Sequence, residues 1–241
     1  MKQEMNSDFT SSRGRINSCC GGNRAGVERD GHVEACRSAL RSYRATRDRT
    51  LTIVEGLSQE QMDYAPGTDK WSISEIVDHI LLGERLNRGY MAEVIEMKKA
   101  GRQPVLRLSF KDVNVSVAYI PKSLLPFAEL PFTLLNIFLP GSVRDFMTRY
   151  RLVPAQSSDA TAPRRGRPAN DLRHELISSL RETEALLEKS ADLNYDEMRI
   201  EHPLLGTYNI PGLLRFLALH EQRHQSQIND ILTSQRFPVA A

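Results

Sequence analysis

Apolar residues recur every three or four positions through four separate stretches of this chain, the spacing that gathers them on one face of an α-helix. The first stripe reads Val33, Cys36, Leu40, Tyr43, Thr50, Val54 and Leu57, with Arg47 falling on it as a charged interruption. Polar residues fill the other faces, so the pattern predicts an amphipathic helix from Val33 onward. A short helical turn at residues 58–61 and the loop DYAPGTDK then lead to WSISEIVDHILLGERLNRGYMAEVIEMKK. This second segment carries its own start signal. Ser72 followed by Glu75 is a capping box, in which each side chain satisfies the other's backbone N–H, and Trp71 with Ile76 has the spacing of a hydrophobic staple. Its inner stripe is Ile76, His79, Gly83, Leu86, Tyr90 and Val94, with the glycine leaving room one turn beyond the histidine.

A third helix is predicted from about Asn170, burying Leu176, Leu180, Thr183 and Leu187 and leaving His174 off the stripe at the surface. The fourth follows HPLLGTYN, with Asn209 as N-cap and Pro211 in the first turn, where a missing N–H costs nothing. Its inner stripe is Leu213, Leu217, His220, His224, Ile228 and Ile231. Four helices with one apolar face each must bury those faces on one another, so the expected fold class is an all-α four-helix bundle over residues 33–233.

Residues 101–169, between the second and third helices, are far longer than such connections usually are. The apolar core of this insertion, AYIPKSLLPFAELPFTLLNIFLPG, is broken by prolines at 121, 126, 131 and 140, and its longest uncharged run, Leu130 to Gly141, is too short to cross a bilayer. It reads as broken helical turns. Ser142 with Asp145 can cap a short helix through Tyr150, and PAQSSDATAPRRGRPAN reads as a flexible linker. Three roles stay open for the insertion, in falling order: covering one end of the bundle, forming a dimer contact, or touching a membrane surface. Residues 1–32, rich in Gly, Ser and Arg, read as a disordered tail without a signal-peptide core, and 234–241 as a short C-terminal tail.

Composition narrows the function classes. A chain of 241 residues with 40% hydrophobic content supports a real core, and a net charge of +2 with mixed signs leaves no basic stripe for nucleic acid. The three cysteines, Cys19, Cys20 and Cys36, match neither a disulfide framework nor a zinc module, which fits a reducing cytoplasm. Cys36 lies on an apolar stripe and is expected to be a core residue. There is no G-x-S-x-G and no cysteine beside the histidine motifs, so catalysis by a separate nucleophile has no support.

The chemistry-bearing pattern is in LLRFLALHEQRHQSQINDIL, where His220 and His224 stand one turn apart on one helix face. Together with His79 they put three imidazoles on core-facing stripes. Removing polar groups from water is costly without partners, and a divalent cation supplies one for all three; a purely structural histidine cluster is the alternative. Three nitrogen ligands with open positions describe a catalytic or ligand-binding metal, and imidazoles accept zinc, nickel, iron or copper, zinc or nickel being expected here. Around them, Glu75 and Gln227 are candidate catalytic helpers, and Arg223 and Tyr90 candidate substrate contacts. Capping already accounts for Glu75, core packing for Tyr90, and a solvated surface for Arg223 and Gln227. Asp78 is a candidate to orient a ligand, Glu221 flanks the histidines, and His202, before Pro203 in a loop, is read as structural.

The pairing of WSISEIVDH with ALHEQRHQSQI resembles the DinB/YfiT superfamily of metal-binding four-helix bundles, over about residues 33–100 and 171–233. The resemblance implies that His79, His220 and His224 hold the metal and that the chain is a homodimer. It also implies a metal-dependent S-transferase joining a low-molecular-weight thiol, such as bacillithiol or mycothiol, to an electrophile. A metal-dependent hydrolase, or a non-enzymatic metal-stabilised bundle whose insertion binds a protein or lipid partner, are the alternatives. The long insertion and the polar N-terminal tail depart from the compact family pattern.

Overall fold

A computed structural model describes residues 22–109, 161–203 and 206–239. The expectations for the apolar middle of the insertion, for a helix through Tyr150 and for residues 1–21 lie outside the described residues. Five helices are described: α1 (Gly22–Val54), α2 (Gln59–Asp63), α3 (Ile73–Lys99), α4 (Ala169–Glu188) and α5 (Ile210–Leu232). The four long ones meet in a ring, α1 on α5, α5 on α3, α3 on α4 and α4 on α1. Among the described residues no helix is long and apolar enough to cross a membrane.

Local chemistry explains the helix starts. Ser72 Oγ accepts from the Glu75 N–H at 3.2 Å while Glu75 accepts from the Ser72 N–H at 2.9 Å, the reciprocal box expected at α3. Ser58 and Gln61 repeat the device at α2. Asn209 caps α5 by accepting from the Gly212 N–H at 2.8 Å. α1 departs from expectation: it begins at Gly22, inside the stretch expected as a disordered tail. Extending an existing helix adds one hydrogen bond per residue without a new nucleation cost, whereas the apolar pattern reports only the part that packs.

The chain is mostly helical, consistent with the all-α expectation, and it also contains a small three-stranded sheet that the expectation lacked, in the order β1 (Val105–Arg107), β2 (Arg199–His202), β3 (Gly206–Tyr208). β1 runs parallel to β2 with Leu106 opposite Ile200, and β2 runs antiparallel to β3 with Ile200 opposite Tyr208. His202 therefore ends a strand instead of sitting in a loop. The strands are only three or four residues long, too short for a periodicity signal, and they gain stability by burying Ile200 and Tyr208 on the helices.

The core is split in two. One apolar cluster holds Cys36, Tyr43, Met91, Ile95, Leu187, Leu213 and Leu217 together with Ile200 and Tyr208; the other holds Val54, Ile73, Ile80, Leu172, Leu176, Ile228 and Ile231. Along each long helix the residues between the two clusters are polar and buried: Arg47 and Thr50 on α1, Glu84 on α3, Ser179 and Thr183 on α4, Glu221 and His224 on α5. Arg47 thus does not interrupt the α1 stripe. Its side chain is 0% exposed, and its charge is met inside the protein.

Residues 161–168 are likewise no free linker. Composition marks TAPRRGRP as flexible, yet it lies along α3, tied by Arg164 and Arg167 to Asp78 and by Arg165 to Glu75. Gly166, at φ +69°, supplies the left-handed turn between the arginines.

Candidate metal centre

Three helical positions converge where α3 meets α5. His79 comes from the second turn of α3, and His220 and His224 come from successive turns of α5. Ring centroids are 4.5 Å apart for His220 and His224, 4.9 Å for His79 and His224, and 5.3 Å for His79 and His220. Each offers one nitrogen, and these three atoms all lie within 4.8 Å of one another, a group able to hold a metal ion. His79 and His224 are buried and His220 is half-buried.

Hydrogen bonding sets the tautomers. His79 Nδ1 lies 2.7 Å from the Thr161 carbonyl oxygen. A carbonyl only accepts, so Nδ1 carries the proton and Nε2 keeps its lone pair. His224 Nδ1 lies 2.6 Å from Gln227 Oε1, which assigns it the same tautomer, and its Nε2 faces His220 Nε2 at 3.2 Å. Two nitrogens on one tetrahedral zinc at about 2.0–2.1 Å would stand about 3.3 Å apart. The donor set therefore fits a divalent transition ion: three ring nitrogens within 4.8 Å of one another, with the outer N–H groups of His79 and His224 each held by an oxygen.

The electrostatics of His79 and His220 favour neutral rings. Burial pushes the His220 imidazole well below its ordinary pKa, and its His224, His79 and Arg223 neighbours push the same way. For His79, burial is again the largest influence and lowers the pKa; the Thr161 carbonyl opposes it and the Arg223 cation adds to it. Arg223 Nη2 stands 3.3 Å from His224 Nε2, at the inner edge of the cluster. Trp71 packs against His79 and His224 at 4.9 and 6.5 Å, and Phe216 stacks on His220 at 5.9 Å, so aromatic surfaces wall the site on two sides. Gly83 does border His220. A methyl group there would meet His220 Cε1 at an ordinary 3.8 Å, so alanine would fit as well.

The other sequence candidates sort by what they touch. Gln227 and Arg223 are half-buried against His224 and are not the solvated side chains expected. Glu75 gives one oxygen to the Ser72 N–H and the other to Arg165 at 3.0 Å, so both are committed away from the histidines. Tyr90 packs beside the apolar cluster at the far end of the helices, and His174 is exposed. Burial pushes His202 down to about 4 and the Cys36 thiol up to about 11, leaving one neutral and the other inert as a nucleophile.

Sequence reasoning missed the charged layer beside the site. Arg47 donates from Nε and Nη2 to the two oxygens of Glu221, at 2.9 Å each, from Nη2 to Glu84 at 3.0 Å and to the Tyr43 hydroxyl at 2.8 Å, and from Nη1 to the Leu176 carbonyl at 2.7 Å. Thr50 donates to Glu221 and Thr183 to Glu84. The network thus links all four long helices, and it anchors α5 at the residue next to His220. The available signal was an arginine on an apolar stripe, with acids at core-facing spacing elsewhere.

The sequence profile described as the DinB superfamily matches residues 42–228, which includes every histidine of the site. No curated protein and no solved structure matches the chain.

Proposed function

The chain belongs to the DinB superfamily, and from that membership and the three convergent imidazoles we propose that it is a four-helix-bundle metalloprotein of the reducing cytoplasm. His79, His220 and His224 hold one divalent transition ion, zinc or nickel. The observation that carries this reading is the orientation of the donors: Thr161 and Gln227 hold the outer protons of two rings, so their lone pairs face the third.

An ion bound there supplies Lewis acidity, lowering the pKa of a water or a thiol that occupies an open position. The protein's own groups do the rest. Arg223 puts a cation beside the inner nitrogen of His224, suited to the anionic part of a substrate. Trp71 and Phe216 exclude water from two sides. Among the described residues no cysteine lies beside the histidines and Glu75 is committed elsewhere, which favours chemistry through the ion over a protein nucleophile. The activity we propose is transfer of a low-molecular-weight thiol to an electrophile, in a homodimer, with hydrolysis as the second reading because the same ion activates water.

The test is to load the protein with zinc or nickel and supply small thiols with a chromogenic electrophile. Conjugate formed only with both thiol and metal, and lost in His220→Ala, is the expected result. Thiol-independent ester cleavage would replace transfer by hydrolysis, and neither reaction across the panel would leave a metal-stabilised binding module.

A further inference from the structure

The arm 161–167 that leads back into α4 does more than connect. Its first residue, Thr161, presents the carbonyl that holds His79 Nδ1. Three residues on, the Arg164 backbone N–H donates to Asp78 Oδ2 at 2.8 Å and its guanidinium to Asp78 Oδ1 at 3.1 Å; Arg167 reaches the same Oδ1 at 2.7 Å. Arg165 bonds Glu75, and Arg167 also pairs with Glu175 in the second turn of α4. The Asp78 side chain is 1% exposed, so its carboxylate depends on this arm for its partners, and the arm depends on Asp78 for its place on α3.

Asp78 and His79 are neighbours in sequence but point to different sides of α3, and the arm is what joins them: Asp78 fixes the arm, and the arm fixes the imidazole. We propose that residues 161–167 form a positioning strap for the metal ligand His79, with Asp78 as its positioning residue, so that metal affinity depends on a carboxylate that touches no imidazole. The inference rests on the metal-centre reading. Losing the outer hydrogen-bond partner of a ligating histidine typically weakens metal binding 10–100-fold, and removing the Asp78 charge is expected to do this from one step further away. Because coupling is reciprocal, metal bound at His79 in turn holds the strap on α3.

The experiment uses the full chain. Zinc affinity is measured by competition with a chromophoric chelator for the wild type, Asp78→Asn and Arg167→Met. Thermal melting of the metal-free proteins and nitrogen-15 NMR of the His79 ring, assigned with His79→Gln, accompany it. The expected result is at least 10-fold weaker zinc binding in Asp78→Asn and a His79 ring no longer held in the Nδ1–H form. Wild-type affinity and an unchanged tautomer in that variant would overturn the proposal and leave the strap a purely structural clamp, while the metal centre stands. A wild type that takes up no zinc would overturn the metal centre and the proposal together. If Asp78→Asn does not fold, Arg167→Met, which leaves Asp78 paired with Arg164, decides by the same two readouts.

Discussion

Halfway along the helices the protein buries two polar groups side by side, and it meets their needs in opposite ways. Arg47 is a fixed charge answered by fixed charges: burial alone would lower its pKa, but Glu221 and Glu84 more than offset this, so it stays protonated at any ordinary pH. The histidines are answered largely by one another and by two oxygens on their outer edges, and burial keeps His79 and His220 from charging. A region whose cation meets an internal acceptor at each of its nitrogens holds structure, whereas one that brings three ring nitrogens together is able to hold a cation from outside. Glu221 sits one residue from His220, so the first region gives the second its rigidity.

Breaking the arginine layer is expected to have the largest effect. Arg47→Met leaves Glu221 buried without its cation and Glu84 with only Arg88 at 3.9 Å, a loss that typically costs 3–5 kcal/mol and should appear as a lower denaturant midpoint. Adding Glu84→Gln and Glu221→Gln should restore much of that loss; a single variant within 1 kcal/mol of wild type would show that the layer is not the clamp described.

The histidine region is expected to respond to metal where the arginine layer does not. Zinc at 100 times its dissociation constant should stabilise the fold by about 2.7 kcal/mol, reversed by a chelator and absent in His220→Ala. Equal stabilisation of that variant would move the binding elsewhere.

Acid should act next on a third group, His202 at the end of β2. His202 has a folded pKa of about 4 against an ordinary 6.5, so between these values the unfolded chain binds more protons and stability falls as the pH falls. From pH 7 to pH 5.5 this histidine alone accounts for about 1 kcal/mol, with His79 and His220 shifted in the same direction. Denaturation of His202→Gln across that range should show a shallower slope; an unchanged slope would place the acid sensitivity on other groups.

The smallest effect tests the capping box. Ser72→Ala is expected to cost about 1 kcal/mol of stability while leaving metal affinity unchanged, since Ser72 satisfies a helix terminus and not an imidazole. A matching loss of metal affinity would mean that the start of α3, and not the strap, sets the position of His79.

The sequence made the apolar faces and helix starts readable because each is a local signal. Ser72 with Glu75, Asn209 before Pro211, and the spacing of His79, His220 and His224 all report within one or two turns. What escaped it depends on partners distant in the chain. Arg47 looks like an interruption until Glu221, 174 residues away, is seen against it. The RRGR run reads as solvated linker because its composition gives no hint that Asp78, Glu75 and Glu175 wait on other elements. The short strands failed for a different reason: three or four residues carry too little pattern to show before packing selects them.

The central claim, that the three imidazoles form a metal centre, is tested most directly by elemental analysis of protein purified without a histidine tag, beside a His79→Ala, His220→Ala double variant. About one transition-metal ion per chain in the wild type, lost in the variant, is the predicted result. A wild type that carries none and takes up none on titration with zinc or nickel would contradict it, leaving the histidines as a neutral cluster packed in the core.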